Sequence, residues 1–315
     1  MPRLRLILLG AFHAALDGRP LTKFGSAKTQ GLLAYLALAV DHPHSRAVLA
    51  AMFWPEEGDS AASHNLRQTI YDLRRLLDST DPREGGRQPY LLVTRQTIQF
   101  NPASDYDLDV ARFLDMLQSD RQEEAAALYR GDLLAGMIVD GTPFEEWQHY
   151  RREQLHRQAM NLLGQLAERY LQQQLFDKAQ WHARRQLELE PWSEPAHWQL
   201  MRALWLAGER GAALAQFQVC RQVLAAELGV EPHVDTLWLA QQIREDIYSH
   251  DPASRPATKP TLQYNLPAPL TSIVGREAEL RQVQELLAHD DCRLLTITGL
   301  GGIGKTRLAL AAAHA

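Results

Sequence analysis

Apolar positions recur along this chain with three different rhythms. Leu4 to Leu16 is a mostly apolar run ending at the turn pair Asp17-Gly18, which predicts a β-strand entering a hairpin. Leu32, Leu33, Leu36 and Ala39 share the inner face of a helix expected over Ala27 to Val40. Ser45 is placed to cap a second helix running to Trp54, where Pro55 ends it. A third helix opens near Ser60, and its Leu66, Ile70, Leu73 and Leu77 form one stripe at about 3.6 residues per turn, which has to be buried. His64, Gln68, Tyr71 and Arg75 lie opposite that stripe, with Arg67 and Arg74 on one flank and Asn65 and Asp72 on the other. After a glycine-bearing loop from Asp81 to Gln88, Tyr90 to Val93 and Thr97 to Phe100 read as strands around Thr94-Arg95-Gln96.

From Asp105 to about His250 the period becomes helical throughout. Residues 164–192 and 197–232 repeat at a spacing of 34, pairing Asp177 with Gly211 and Ala179 with Ala213, the tetratricopeptide period. Leu162, Leu166, Tyr170, Leu200, Leu204 and Leu206 are expected to fill the stacked core. Trp181, Trp192, Trp198 and Trp205 are expected to be core and capping residues, because aromatics at helical spacing are usually buried. His149, His156 and His182 stand singly, as surface or satisfied core residues, and no metal-spaced cluster or nucleophile with a base stands out in this region.

Pro252, Pro256, Pro260, Pro267 and Pro269 then mark an extended linker. A helix from Glu277 to Ala288 and an apolar strand from Leu294 to Thr298 lead into Gly299-Leu300-Gly301-Gly302-Ile303-Gly304-Lys305-Thr306. Strand, glycine loop and following helical run, Arg307 to Ala313, are together the context that a phosphate-binding loop requires. Backbone N–H groups of such a loop close around phosphate oxygens, while Lys305 would reach the β/γ-phosphates of ATP or ADP and Thr306 would ligate Mg²⁺.

Composition narrows these readings. The chain has 315 residues, 45% hydrophobic and 23% charged, which suits two or three cores and a soluble, cytoplasmic protein without a membrane span. Arg3 and Arg5 ahead of Leu6 to Phe12 imitate a secretory leader, but His13 interrupts the run. Cys220 and Cys292 lie far apart and suggest no disulfide framework. Net charge is −5, yet residues 1–100 hold 12 Lys and Arg against 9 Asp and Glu, leaving the acidic surplus to the remainder. A basic head permits nucleic-acid binding without requiring it.

Two helices, a third with an exposed arginine and glutamine face, and a hairpin describe a helix-turn-helix with a wing. Such a helix fits the major groove, where Arg grips a guanine edge and Gln an adenine edge, and Arg95 on the wing is offered to the backbone or minor groove. An amphipathic helix with an ordinary solvated face is the competing explanation.

Leu4 to Gly10, Asp17-Gly18-Arg19-Pro20, Leu32-Leu33-Ala34, Phe53-Trp54-Pro55 and Asn65-Leu66 through Leu73-Arg74-Arg75-Leu76-Leu77 resemble the OmpR-type winged helix of the antibiotic regulatory protein family of activators. The resemblance continues through Asp107-Leu108-Asp109, Tyr129-Arg130-Gly131-Asp132-Leu133-Leu134, Glu146-Trp147, Arg151, Leu155 and Glu227-Leu228-Gly229-Val230-Glu231-Pro232, which are similar to the bacterial transcriptional activation domain. It implies a three-repeat helical fold packed against the head, supporting dimerisation and contact with RNA polymerase. Ile273-Val274-Gly275-Arg276-Glu277 with Leu280 is similar to the start of the STAND signalling NTPases, carried by large members of that family, so the chain is expected to be the front of a longer regulator.

The fold class expected is therefore multidomain and mainly α. It comprises a winged-helix DNA-binding domain (1–102), a TPR-like activation domain (105–250), a linker (251–270) and the start of an α/β P-loop NTPase (271–315). The function expected is sequence-specific binding of double-stranded promoter DNA by a transcriptional activator, without catalysis by this chain, and with a head that folds without the helical middle. Two alternatives stay open: a nucleotide-switched scaffold whose winged helix and repeats bind protein, and an ATP-hydrolysing enzyme.

Overall fold

The computed structural model describes residues 4–77, 88–139, 142–245 and 277–287, with isolated positions 308, 309 and 312. Residues 1–250 form one compact unit and 251–315 a second.

The first unit begins with β1 (Leu4–Ile7) antiparallel to β2 (His13–Leu16), which pairs with the short β3 (Arg19–Pro20). Asp17 and Gly18 both have positive φ, 51° and 77°, as a two-residue hairpin turn needs. The run Leu4 to Leu16 is thus two strands rather than the single one expected. It breaks because Gly10 takes φ 109° and gives its N–H to Asp132, while Leu9 bridges to Leu133. On the other edge of β1, β7 (Tyr106–Leu108) pairs in parallel, giving the order β3-β2-β1-β7.

Helices α1 (Ala27–Leu38), α2 (Arg46–Phe53) and α3 (Asp59–Leu77) follow, and a second sheet joins β4 (His44–Ser45), β6 (Thr97–Phe100) and β5 (Leu91–Val93). Ser26 caps α1 by accepting the N–H of Thr29. Ser45, expected to cap α2, makes no side-chain cap bond, because its backbone is committed to β4 opposite Thr97.

The segment after Asp105 is not helical throughout. Besides β7, residues 129–139 between α5 (Gln122–Leu128) and α6 (Thr142–Gln172) are largely irregular and hydrogen-bond to Leu8 and Gly10, just beyond β1. Helix α4 (Asp109–Leu117) starts directly from β7. Helices α6, α7 (Phe176–Leu189), α8 (Glu194–Leu206) and α9 (Arg210–Glu227) pack each on the next, and α10 (Val234–Glu245) closes against α8 and α9. Ala179 and Ala213, the paired alanines of the repeat, are both buried.

Head and helical middle share one core. A single hydrophobic cluster runs from Leu4 and Leu32 through Phe113 and Phe144 to Leu166 and Ala179. Phe144 of α6 packs on Phe53 of α2 at a centroid distance of 4.7 Å with the rings tilted by 37°, and Trp147 meets Tyr35 of α1 at 4.8 Å. At Gly31 the helices are so close that a Cβ would come 3.0 Å from Cζ of Phe144. The packing therefore does not support a head that folds without the middle, and 102–105 is not a gap in it.

Other expectations fail on specific surfaces. Trp181 and Trp192 are not core residues but 52% and 43% exposed. Helix α7 buries the face of Ala179, Gln180, His182, Ala183 and Gln186, which turns Trp181 outward. Trp198 and Trp205 are partly buried against a second cluster around Leu200, Phe217 and Ile243. His156 does not stand singly: its ring nitrogens lie 3.0 Å from Asp132 and 2.8 Å from Glu190. In the second unit, α11 (Glu277–Leu287) is the described element.

Candidate nucleic-acid interface

Helix α3 is built by opposition between two faces. Ala62, Leu66, Thr69, Ile70, Leu73 and Leu77 are buried, and the helix packs on α2 and α1. The remaining face carries His64, Arg67, Gln68, Tyr71, Arg74 and Arg75, all exposed, with Tyr71 at 57%. The structure thus brings the six helical residues singled out from the sequence onto one solvent face of a rigidly seated element. A large aromatic left outside a well-filled core has apolar area available for a partner.

Within this face Gln68 Nε2 donates to both carboxylate oxygens of Asp72, at 3.2 and 3.3 Å. Thr69 turns its hydroxyl inward to the carbonyl of Asn65 at 2.9 Å, so it offers nothing outward.

Arg95 is exposed on a different element, the turn between β5 and β6. That turn is held by its own threonines. The Thr94 N–H donates to the Thr97 carbonyl, and the Thr94 hydroxyl oxygen accepts the N–H groups of Gln96 and Thr97. The start of α2 is tied to it as well, since the Arg46 N–H donates to the Gln96 carbonyl at 2.9 Å and its Nη1 to the Thr94 carbonyl at 3.4 Å. Sequence reasoning missed Arg46. The signal available was its place directly after Ser45, a strand residue that pairs with the wing.

Positive groups also rim the neighbouring helices. Lys28 of α1 lies 5.7 Å from the ring centroid of Trp54, which holds its ammonium near the end of α2.

Gly299, Gly301, Gly302, Ile303, Gly304, Lys305 and Thr306, the nucleotide and Mg²⁺ residues expected from the sequence, lie outside the described residues. So do the linker and the strand from Leu294 to Thr298. No helix among the described residues is long and apolar enough to cross a membrane. Cys220 is buried, and that burial pushes its thiol up to about 12, far from the reactive range.

Comparison with known proteins places this geometry. Residues 115–244 match the model of the bacterial transcriptional activator domain. The chain is 28% identical to the regulatory protein AfsR of Streptomyces coelicolor and 30% identical to AfsR of Streptomyces griseus, in both cases over 99% of its length. It spans 32% of the length of each of these relatives. Among solved structures, Mycobacterium tuberculosis EmbR in complex with a low-affinity phosphopeptide superposes with a TM-score of 0.56 at 22% identity, covering 78% of this chain and 66% of that one. The shared fold is a small-sheet winged helix followed by the helical activator domain. The chain thus carries a match to the bacterial transcriptional activator domain over residues 115–244, and along 99% of its length it is similar to the AfsR regulatory proteins.

Proposed function

We propose that this chain binds duplex promoter DNA in a sequence-specific manner and activates transcription from it. One observation carries the reading: six polar, largely cationic or hydrogen-bonding side chains share the exposed face of α3, whose opposite face is sealed into the core. Gln68, Tyr71 and Arg75, at the centre of that face, address base edges, with His64 beside them. Arg67, Arg74 and Arg95 contact mainly phosphates. The threonine-locked turn presents Arg95 on a backbone with little freedom left to lose on binding.

The helical domain supplies the partner surface. Exposed Trp181, Trp192 and Trp238 are the kind of aromatic anchors on which protein interfaces concentrate their energy. In this reading they serve contact with RNA polymerase or with a second copy of the chain. Residues 299–306 hold the phosphates of ATP or ADP, with Lys305 neutralising and Thr306 on Mg²⁺. The sequence pattern supports this, and loss of labelled-ATP binding in Lys305→Ala tests it.

Selection of duplexes from a random pool, followed by transcription from the selected site, tests the main reading. Enrichment of one motif, and stimulation of transcription that falls in Trp181→Ala without loss of DNA affinity, is the expected result. A chain that enriches no motif is not a DNA reader of this kind.

A further inference from the structure

We infer that Asp72 is a specificity residue of the α3 face, which with Gln68 selects a base carrying an exocyclic amine, cytosine or adenine, and rejects guanine and thymine at that position. The inference rests on the proposal that α3 enters the major groove. Its starting point is a carboxylate on a surface otherwise built for a polyanion. Asp72 is exposed, and its hydrogen-bond partner Gln68 is a neutral amide, which leaves the negative charge in place. Facing phosphates, such a charge is repelled. Facing base edges, it needs a donor, and the exocyclic amines of cytosine and adenine are the donors that the major groove presents.

The hydrogen bond also orients Gln68. Its Nε2 is turned onto both oxygens of Asp72, so Oε1 points away from the carboxylate. The pair therefore offers acceptors on both members, held side by side by the hydrogen bonds of 3.2 and 3.3 Å between them. That arrangement serves one base pair or two adjacent ones. Guanine O6 or thymine O4 at the same place would set acceptor against acceptor, with no proton between them. Arg75, three residues further on the same face, has the opposite requirement and suits guanine. The helix thus carries an acceptor station and a donor station side by side.

The test is parallel selection from random duplex DNA with the 315-residue chain and its Asp72→Asn and Asp72→Ala variants, with melting curves to confirm that this exposed substitution leaves the fold intact. Asn keeps the size and the acceptor for Gln68 but removes the charge and adds donors. The expected result is a motif whose amine-bearing position is preferred about tenfold over its carbonyl alternatives in the parent chain, with that preference lost in both variants and the other positions unchanged. Identical motifs for all three proteins, or a change in affinity that is uniform across sequences, would overturn the role of Asp72. Failure of the parent chain to enrich any motif would instead overturn the DNA-reading proposal beneath it.

Discussion

The carboxylate of Asp109 accepts the backbone N–H of Leu8 at 2.9 Å across 101 residues of chain. The same group accepts the N–H of Leu9 at 2.9 Å and, at the start of α4, of Val110 at 2.8 Å. It satisfies three backbone donors at the point where β1 ends. Burial pushes its carboxyl above the usual range, and the three amides hold it down against that. Asp109→Ala leaves the buried N–H groups of Leu8 and Leu9 unpaired and is expected to destabilise by about 2–4 kcal/mol. Urea unfolding followed by tryptophan fluorescence and by far-ultraviolet circular dichroism checks this. Both probes should shift together, since head and middle share a core.

Phe144 makes the same connection through packing. Its ring lies against Phe53 and closes over Gly31. Phe144→Ala is expected to cost about 3–5 kcal/mol, as for other buried aromatics. A fragment of residues 1–102 lacks β7, Asp109 and Phe144 together, and should show no cooperative thermal transition. A sharp transition in that fragment would separate the head from the middle after all.

His156 carries a pH signature. Donating to the carboxylate of Asp132, and also to that of Glu190, raises the imidazole from 6.5 to about 9 against its partial burial. A base raised on folding contributes stability that is complete below about pH 6.5 and is lost as pH rises through about 9. The shift sets an upper bound of about 3 kcal/mol. Solvent around Asp132, 43% exposed, reduces it to about 1–2 kcal/mol. Between pH 6 and 10 the parent chain should lose this stability, whereas His156→Gln should be weaker at pH 6 and flat over the same window. Parallel curves would remove the pair from the stability of the fold.

What could be read from the sequence was local. The stripe Leu66, Ile70, Leu73 and Leu77 places α3 and its exposed face, because a helix of 19 residues repeats its period often enough to be unambiguous. The wing strands were legible for the same reason, alternation around a polar turn. Asp109 and Phe144 were not, since periodicity says that a side chain is buried but not what it meets 100 residues away. The run from Leu4 to Leu16 hides its break at Gly10, whose N–H goes to Asp132, far along the chain. The outward turn of Trp181 was invisible too, because α7 spends its buried face on two alanines, a histidine and two glutamines instead of its largest residue.

Whether the exposed face of α3 reads DNA is decided by comparing Arg75→Ala with Arg74→Ala. Both side chains are exposed near the end of the same helix, and both substitutions remove one positive charge. Affinity of the 315-residue chain should be measured for its selected duplex, for single-position variants of that duplex and for random DNA, each over a range of salt. Arg75→Ala is expected to cost about 1–3 kcal/mol on the selected duplex and to relax preference at one base position. Arg74→Ala should weaken all sequences alike and lower the salt slope by about one. Unchanged affinity and salt slope in both variants, on specific and random DNA, would contradict it.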